Sequence, residues 1–311
     1  MTKTKGLVKE KARQITDLGS ILSKKQSGVQ LVKVAGECQG QKLISFLKQK
    51  TGLPYSRLMK LIRTGQIRIN GKRALPFYRL QLGEEIRIPP YTPPLQAKFS
   101  LKLDLIYENE QILILNKPAG LAVHKGSKTP FSLMDVIQQK YKHLPYVPTP
   151  VHRLDKETSG LMVLAKSFQT LTDLQANWDQ VEKKYLAVIN GIWPYNQTIT
   201  LSHYLFKPKT GAITDHLSKG KKSVCEVRPL AKSQNHSLLE VRLITGRTRQ
   251  IRAQLAFQGY PILGDKKFSS SKLSLPLHLH AYFLSLQGNS FKCYPNWKIL
   301  QKFQNKQLNF V

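Results

Sequence analysis

A proline-rich segment near residue 90 most constrains how this chain can fold. The string "IPPYTPPLQAKF" contains four prolines between residues 89 and 94, and proline lacks the backbone N–H that a helix interior or a central strand needs. We therefore predict an extended linker between two domains. The predicted order is a basic N-terminal extension, a small domain, the linker and a larger domain, at residues 1–30, 31–90, 91–99 and 100–311.

The charge of the chain is strongly unbalanced. Of its 311 residues, 49 are Lys or Arg and 18 are Asp or Glu, so the formal net charge is +31. Such an excess creates a positive potential over much of the surface and predicts a polyanionic partner. The candidates are nucleic acid and an anionic membrane. No apolar run is long enough to span a bilayer, and nucleic acid is the favoured partner.

Cysteine usage and the N-terminus bear on the compartment. Cys38, Cys225 and Cys293 are scattered and form no CxxC pair, which favours a reducing compartment and argues against a disulfide framework or a zinc site. The N-terminus lacks the apolar core of a secretory signal. It is basic and weakly amphipathic, so an organellar transit peptide is the minority alternative to a cytoplasmic location.

The small domain combines two predicted helices with a hairpin. Apolar residues recur at helical spacing in "LISFLKQK", and a second helix is expected from Ser56, a good N-cap, to Gly65, a good C-cap. The string "QIRINGKRAL" then turns at Asn70-Gly71, a strong hairpin signal. Basic residues recur on the second helix and the hairpin, at Arg57, Lys60, Arg63, Arg68, Lys72 and Arg73.

These six residues form what we call the basic stripe. Charges along one helix face are most often simply solvated, and that explanation stays open here. Against it, the hairpin continues the same sign of charge with no acid to pair. We therefore predict that the basic stripe binds RNA.

The larger domain is rich in strands. Strands are predicted in "DLIYENEQILILNKP", "LMVLAK", "KYLAVINGI", "CEVRPL" and "LLEVRLI". Helices are predicted in "SLMDVIQQKY" and in "TRQIRAQLAFQG", the latter capped by Thr248 and ended by Gly259. Strands outnumber helices without strict alternation, which predicts an α+β domain with a mixed or antiparallel sheet and flanking helices.

The stretch "PVHRLDKETSGLMVLAKS" is the strongest candidate for chemistry. Asp155 precedes the turn formers Thr158, Ser159 and Gly160, and an apolar strand follows. A rigid sheet would thus hold this carboxylate on a loop, where functional groups tend to sit. A simple loop ion pair is the alternative. A pair of carboxylates for acid–base work, formed with Glu157, is not expected.

Four strings of the larger domain carry a resemblance to a known family. They are "LNKPAGLAVHKG", "VHRLDKETSGLMVLAKS", "KKYLAVINGI" and "LITGRTRQIRAQLAFQGYPILGD". In this order and at similar spacing, they resemble the motifs of the RluA family of RNA pseudouridine synthases. The chain is most similar to the RluC and RluD branches, which modify large-subunit ribosomal RNA. The small domain resembles the S-four-like RNA-binding fold, chiefly through "LIRTGQIRINGKR".

The resemblance implies roles for individual residues. Asp155 would be the catalytic aspartate that acts on a uridine, whose base leaves the ribose and rejoins it through carbon five without cofactor or metal. Tyr185 would stack on the base, although a core tyrosine is the alternative. Arg247 would pair with the aspartate, since a desolvated carboxylate needs a cation. Arg153 would fill the place of the flipped nucleotide, unless it only anchors Glu157 or a phosphate.

Two positions depart from the family pattern. Arg249 and Gln254 stand where histidines are common, so the placement of RNA is the property they affect. Arg249 and Arg252 are expected to contact RNA. The rivals to a synthase are a non-catalytic RNA-binding or ribosome-assembly protein and a nucleic-acid hydrolase, for which the chain lacks the acidic cluster that binds metals. The partner expected for an active enzyme is ribosomal RNA, and the protein is expected to act as a monomer.

Overall fold

The structure is a computed structural model that describes residues 28–94, 101–126, 129, 131–208, 213–269 and 275–303. The chain divides into two units. Unit 1 comprises Met1–Lys102, Met134–Thr149 and Ala165–Leu171, and unit 2 comprises Leu103–Leu133, Pro150–Leu164 and Thr172–Val311. Most of the predicted N-terminal extension (residues 1–27) and part of the predicted linker (residues 95–99) lie outside the described residues.

Unit 1 contains a four-stranded sheet in the order β1-β4-β2-β3. Its strands are antiparallel and two helices follow the first of them. The bounds are β1 Gln30–Lys33, α1 Leu43–Thr51, α2 Tyr55–Arg63, β2 Arg68–Ile69, β3 Lys72–Arg73 and β4 Glu85–Ile88. Leu43, Phe46, Leu47, Leu58 and Ile62 of the helices are buried in the core of this unit.

The local signals for unit 1 are met with a shift of one residue or more at each end of α2, whose C-cap is Thr64 and not Gly65. The hairpin turns at Asn70-Gly71 as predicted, with φ of 47° and 76°, the left-handed values of a tight hairpin turn. Helix α2 begins at Tyr55 with Pro54 at its N-cap, so Ser56 lies in the first turn and is not the cap. Proline already has the backbone angle that a helix start needs, which explains the earlier beginning.

Two later segments of unit 1 come from the region that the sequence assigns to the larger domain. Gln138 Nε2 donates to the Gln49 carbonyl at 2.6 Å, and Cys38 Sγ donates to the Pro145 carbonyl at 3.3 Å. Tyr146 is 2% exposed within the apolar core of unit 1. These contacts join residues about a hundred positions apart, which local sequence patterns do not report.

Unit 2 is built on an eleven-stranded sheet, in the order β11-β10-β12-β13-β9-β14-β8-β6-β5, with β15 beside β14 and β7 beside β8. The strands are β5 Asp104–Glu108, β6 Ile112–Lys117, β7 Thr149–Pro150, β8 Ser159–Ala165, β9 Glu182–Asn190, β10 Ile199–Phe206, β11 Thr214–Asp215, β12 Lys221–Lys232, β13 His236–Leu243, β14 Leu279–Leu286 and β15 Asn289–Lys292. The other α-helices of the described residues are α3 Leu133–Tyr141, α4 Phe168–Ala176 and α5 Gln250–Phe257, and short 3-10 helices lie at Gly36–Cys38 and Lys298–Lys302. The α+β class with a mixed, mostly antiparallel sheet is confirmed.

The core of unit 2 brings the Asp155 loop and helix α5 to the same part of the sheet. Leu154 of the loop, Tyr185 of β9, and Ile251 and Leu255 of α5 belong to one buried apolar cluster. Tyr185 lies on a central strand, opposite Val241 on one side and Ala281 on the other. The carboxylate loop and the helix are therefore both held against a rigid sheet.

Helix α5 starts differently from the prediction. Its N-cap is Arg249, not Thr248, and Arg249 has left-handed backbone angles of φ 55° and ψ 28° with no hydrogen bond from its side chain to the helix. The carbonyl of Arg249 accepts the first helical bond, from Ala253 N–H at 3.0 Å. The expected Thr248 cap is therefore wrong by one residue.

Candidate active site

The Asp155 loop runs from β7 into β8 and closes on itself. Thr158 N–H donates to the Asp155 carbonyl at 3.2 Å, so the turn predicted from Thr-Ser-Gly is formed. Within it the Asp155 side chain remains 20% exposed, which leaves the carboxylate partly open to solvent. The loop thus presents one acid at the start of a buried strand.

Ser159 and Gly160, the two residues after Thr158, each have a structural role. Gly160 has φ 115°, and a Cβ there would clash with the Ala281 carbonyl oxygen on the parallel strand β14, so only glycine fits. Ser159 Oγ lies 2.8 Å from His280 Nδ1, and His280 Nε2 lies 2.9 Å from the Cys293 carbonyl. Because a carbonyl only accepts, His280 donates from Nε2 and accepts the Ser159 hydroxyl at Nδ1.

A buried arginine holds Asp155 from the side of helix α5. Arg252 Nη1 donates to Asp155 Oδ2 at 3.2 Å, while its Nε and Nη2 donate to both oxygens of Asp265, at 2.7 and 2.8 Å. The Asp265 side chain is fully buried and that of Arg252 is 8% exposed. Arg252 thus bridges a structural carboxylate and the carboxylate of the loop.

Arg252 and Asp265 each stabilise the charged form of the other. Burial lowers the pKa of Arg252, but hydrogen bonds and the charge of Asp265, together with Asp155, outweigh it and leave the pKa above its ordinary value. Burial raises the pKa of Asp265, but Arg252 and the N–H groups of Lys267 and Phe268 hold the pKa below its ordinary value. Arg252 stays charged beside Asp155, with Asp265 orienting its planar fork.

The partner of Asp155 is therefore not the expected one. Arg247 is exposed, and its Nε donates to the Lys222 carbonyl at 3.4 Å, so the predicted ion pair between Arg247 and Asp155 is wrong. Arg252, which we expected on RNA, is buried and bonded to two carboxylates. The reason is the direction of helix α5: Arg252 lies within its first turn facing the loop, whereas Arg247 precedes the helix.

Tyr185 and the Asp155 loop line one cleft. The cleft holds about 120 Å³ and is bordered by Asp155, Thr158, Tyr185, Arg153, Arg247 and Arg249. Burial, followed by the charge of Asp155, raises the pKa of Tyr185 well above its ordinary value, so its hydroxyl stays protonated. Arg249 Nε lies 4.0 Å from Asp155 Oδ2, which is an ion contact and not a hydrogen bond.

Lys117 was missed by sequence reasoning. It is fully buried, and its Nζ donates to the carbonyls of Pro118, Leu121 and Lys156 at 2.8, 2.8 and 3.2 Å. Burial lowers its pKa to about 7, although the carboxylates of Glu157 and Asp155 act in the opposite direction. The ammonium group ties the loop after β6 to the residue that follows Asp155.

His152 packs behind the Asp155 loop and is not among the residues that line the cleft. Its Nε2 accepts the Val163 N–H at 3.1 Å, and its ring stacks on Trp178 at 4.4 Å. Burial, followed by the charge of Lys183, lowers the pKa of His152 to about 3, so it remains a neutral acceptor. Its sequence signal was proximity to the motif, which does not reveal a role.

Gln250 fixes the other wall of the cleft. Its Oε1 accepts from Arg247 N–H at 3.0 Å and from the Thr245 hydroxyl at 2.8 Å, and its Nε2 donates to the Val224 carbonyl at 3.0 Å. The side chain is buried. It holds the turn before α5 against strand β12, so the arginines of that turn start from a fixed backbone.

The structure gives the positions of the other predicted site residues, and their roles remain predictions. Arg153 is exposed at the rim of the cleft. Gln254 is fully buried and donates to the carbonyls of Leu201 and Ser223 at 3.2 and 3.0 Å, so it faces the sheet and not the cleft. The six residues of the basic stripe are all exposed in unit 1, and among the described residues none pairs with an acid.

Known proteins resemble the chain over the region that carries this site. The family model of RNA pseudouridylate synthases matches residues 111–257. Ribosomal large subunit pseudouridine synthase C of Buchnera aphidicola subsp. Baizongia pistaciae (strain Bp) is 34% identical over 263 residues, which are 79% of this chain and 83% of that protein. This chain belongs to the RluA family of RNA pseudouridine synthases.

Further relatives agree with this assignment. The protein of the same name from Vibrio parahaemolyticus serotype O3:K6 (strain RIMD 2210633) is 32% identical over 291 residues, 86% of this chain and 92% of that one. The solved structure of human RNA pseudouridylate synthase domain containing 4 is 26% identical, with a TM-score of 0.53 over 62% of this chain and 89% of that chain. The family assignment makes the protein an RNA pseudouridine synthase, an isomerase, as the sequence predicted.

Two kinds of feature are absent from the described residues. No helix there is long and apolar enough to cross a membrane. Nor do three or more His, Cys, Asp or Glu side chains come together there in a way that could hold a metal ion.

Proposed function

We propose that this pseudouridine synthase modifies uridines of large-subunit ribosomal RNA and that Asp155 acts on the target nucleotide. The names of its relatives support the substrate, since both are ribosomal large subunit enzymes. The net charge of +31 suits a polyanion. The observation that carries the assignment of Asp155 is its position in the cleft, held by Arg252 and beside Tyr185.

The reaction breaks the bond between uracil N1 and ribose C1′ and forms one between C5 and C1′. The proton lost from C5 is matched by one gained at N1, so no atom or electron enters from another molecule. Asp155 serves this reaction by attacking the sugar or by taking a ribose proton, and both roles need an ionised carboxylate with a free oxygen. Arg252 occupies only Oδ2, which leaves Oδ1 for the nucleotide.

Tyr185 contributes a surface for the base. Its hydroxyl stays protonated because burial and Asp155 raise its pKa, so it can donate a hydrogen bond but cannot act as a base near neutral pH. Its ring lies in the cleft beside Asp155, where it can stack on a uracil.

Arg153 suits the space that a flipped nucleotide leaves. A stacked uridine must leave the helix to reach a recessed carboxylate, at a cost of a few kcal/mol. Arg153 is exposed on the rim of the cleft two residues before Asp155. Its flat guanidinium can both stack on bases and hydrogen-bond an orphaned partner, a combination that the compact ammonium of lysine lacks. Arg247 and Arg249 add positive charge to the same cleft.

Unit 1 supplies a second surface for RNA. The basic stripe exposes six positive side chains without acidic partners in the described chain, and phosphates are the partners that such a stripe attracts. We take residues 31–90 as the RNA-binding domain, separated by the proline-rich segment, in an enzyme that acts as a monomer in the cytoplasm, where its substrate would be.

The experiment is a map of pseudouridines in total RNA from cells with and without the gene. One or more uridines of large-subunit ribosomal RNA should lose modification without the gene and regain it from a plasmid copy. A plasmid carrying Asp155→Asn should not restore them. Sites that vanish only from transfer RNA would contradict the substrate, and an unchanged map would contradict the function.

A further inference from the structure

Arg249 has a backbone conformation that is unusual for a residue at the start of a helix. Three non-glycine residues of the described chain have positive φ: Asn70, Arg249 and Gln287. Asn70 and Gln287 each precede a glycine in a hairpin turn, where left-handed angles belong. Arg249 caps a helix instead, and an N-cap residue ordinarily has extended angles.

The helix gains nothing from this conformation through the Arg249 side chain. That side chain makes no capping hydrogen bond. Left-handed angles cost free energy in a residue with a Cβ, and such strain is found mainly where a site needs it. With these angles, Arg249 lines the cleft that contains Asp155.

The Arg249 side chain lines the cleft, and its guanidinium has hydrogen-bond donors that are not used within the described chain. Arg249 Nε lies 4.0 Å from Asp155 Oδ2, an oxygen that already accepts from Arg252 at 3.2 Å. Within the described chain, the terminal nitrogens of Arg249 have no hydrogen-bond or ion-pair partner, and the side chain is 30% exposed. A planar guanidinium with two free nitrogens is suited to bind both oxygens of one phosphate.

The charge of the cleft points to the same ligand. Four arginines and one acidic residue line it within the described part of the chain. Arg252 is committed to Asp155 and Asp265, and Arg247 bonds to the Lys222 carbonyl. Of these four arginines, Arg249 makes an ion contact with Asp155 while donating no hydrogen bond within the described chain.

Resting on the proposed function, we propose that Arg249 binds the phosphate adjacent to the uridine on which Asp155 acts. The strained backbone aims the guanidinium at the site of chemistry. Arg249 then anchors the target nucleotide by its backbone, independent of base sequence. It is a substrate-positioning residue, distinct from Arg252, which positions Asp155.

The test compares Arg249→Gly with wild type by RNA affinity as a function of salt concentration. Glycine accepts the left-handed angles, so the variant should melt no lower than wild type. The slope of log affinity against log salt should fall by about 0.7 to 0.9 units, the share of one phosphate. Single-turnover pseudouridine formation should fall roughly tenfold or more, as expected when a charged hydrogen bond is removed. Arg249→Lys should keep most of the slope.

Gln287→Gly is the matched control. It removes the strain of the same left-handed backbone angles (φ 51°) at a residue outside the cleft. It should leave both the slope and turnover unchanged. An unchanged slope with abolished turnover in Arg249→Gly would overturn the proposal, because Arg249 would then act on Asp155 alone. A clearly lower melting temperature would also overturn it, since Arg249 would then serve the fold. Wild-type enzyme that binds RNA but forms no pseudouridine would instead refute the proposed function.

Discussion

At the scale of single residues, the site depends on one arginine that binds two carboxylates. Arg252 makes two hydrogen bonds to the buried Asp265 and one to Asp155. Asp265 is also held by backbone N–H groups of Lys267 and Phe268, at 2.8 and 3.2 Å. The orientation of the loop carboxylate is thus set by groups that never meet the substrate.

Replacing Arg252 should reduce both stability and turnover, and a second substitution at Asp265 should restore only the stability. Arg252→Met leaves Asp265 buried without its cation, which should lower the free energy of unfolding by about 3 kcal/mol. Adding Asp265→Asn removes the unpaired charge and should recover much of that stability, while turnover stays abolished because Asp155 is no longer held. Denaturant unfolding and turnover of both variants provide the measurement. Recovery of turnover in the double variant would contradict this role of Arg252.

The sequence indicated Asp155 but not its partner, for a physical reason. The Thr-Ser-Gly turn acts locally, so its effect on Asp155 is readable from neighbouring residues. The choice between Arg247 and Arg252 depends on where helix α5 begins. That start is set by the left-handed angles of Arg249 and the buried amide of Gln250, which no spacing rule contains.

At the scale of elements, hydrogen bonds join the loop after β6 to the Asp155 loop. Lys117 at the end of β6 and the N–H of Gly120 both donate to the Lys156 carbonyl, at 3.2 and 2.9 Å. Lys156 follows Asp155 directly in the chain. The proline-containing loop after β6 thereby fixes the backbone next to the carboxylate.

The buried Lys117 makes the free energy of unfolding depend on pH. Its pKa is about 7 in the folded protein, against 10.5 for an ordinary lysine. Between those values the unfolded chain binds the proton more strongly, so the free energy of unfolding rises with pH. Compared with Lys117→Met, wild type should gain stability from pH 7 to pH 9, by up to about 1.4 kcal/mol per pH unit. Denaturant unfolding measures the difference, and a constant difference across this range would contradict the lowered pKa.

Local signals predicted the elements better than their assembly. The hairpin at Asn70-Gly71 and the strands of unit 2 follow from turn chemistry and apolar alternation over a few residues. By contrast, the segments Met134–Thr149 and Ala165–Leu171 belong to unit 1 through contacts such as Gln138 with Gln49. A pairing across 89 positions leaves no periodic trace in either segment.

At the scale of the whole molecule, the enzyme has charge in two places with different purposes. The cleft of unit 2 concentrates arginines around one carboxylate, which suits a single nucleotide. The basic stripe of unit 1 is exposed and unpaired in the described chain, which suits the backbone of a longer RNA. Affinity and chemistry should therefore respond separately to mutation.

The helix of the basic stripe allows a direct comparison. Replacing Arg57, Lys60 and Arg63 with Gln should weaken RNA binding and reduce the salt slope by about 0.7 to 0.9 units for each phosphate that is no longer neutralised. Replacing the two arginines with Lys keeps the charge and should keep the slope. Turnover at saturating RNA should change little in either variant. An unchanged slope in the Gln variant would show that this surface does not face RNA.

The central claim is that Asp155 carries the chemistry of an RNA pseudouridine synthase, and Asp155→Asn tests it most directly. The purified variant should form no pseudouridine in a single-turnover assay while its RNA affinity stays within a few-fold of wild type, because one carboxylate is a small part of so basic a surface. Asp179→Asn, at an exposed aspartate outside the cleft, should retain full turnover. Pseudouridine formation by Asp155→Asn at the wild-type rate would contradict the claim.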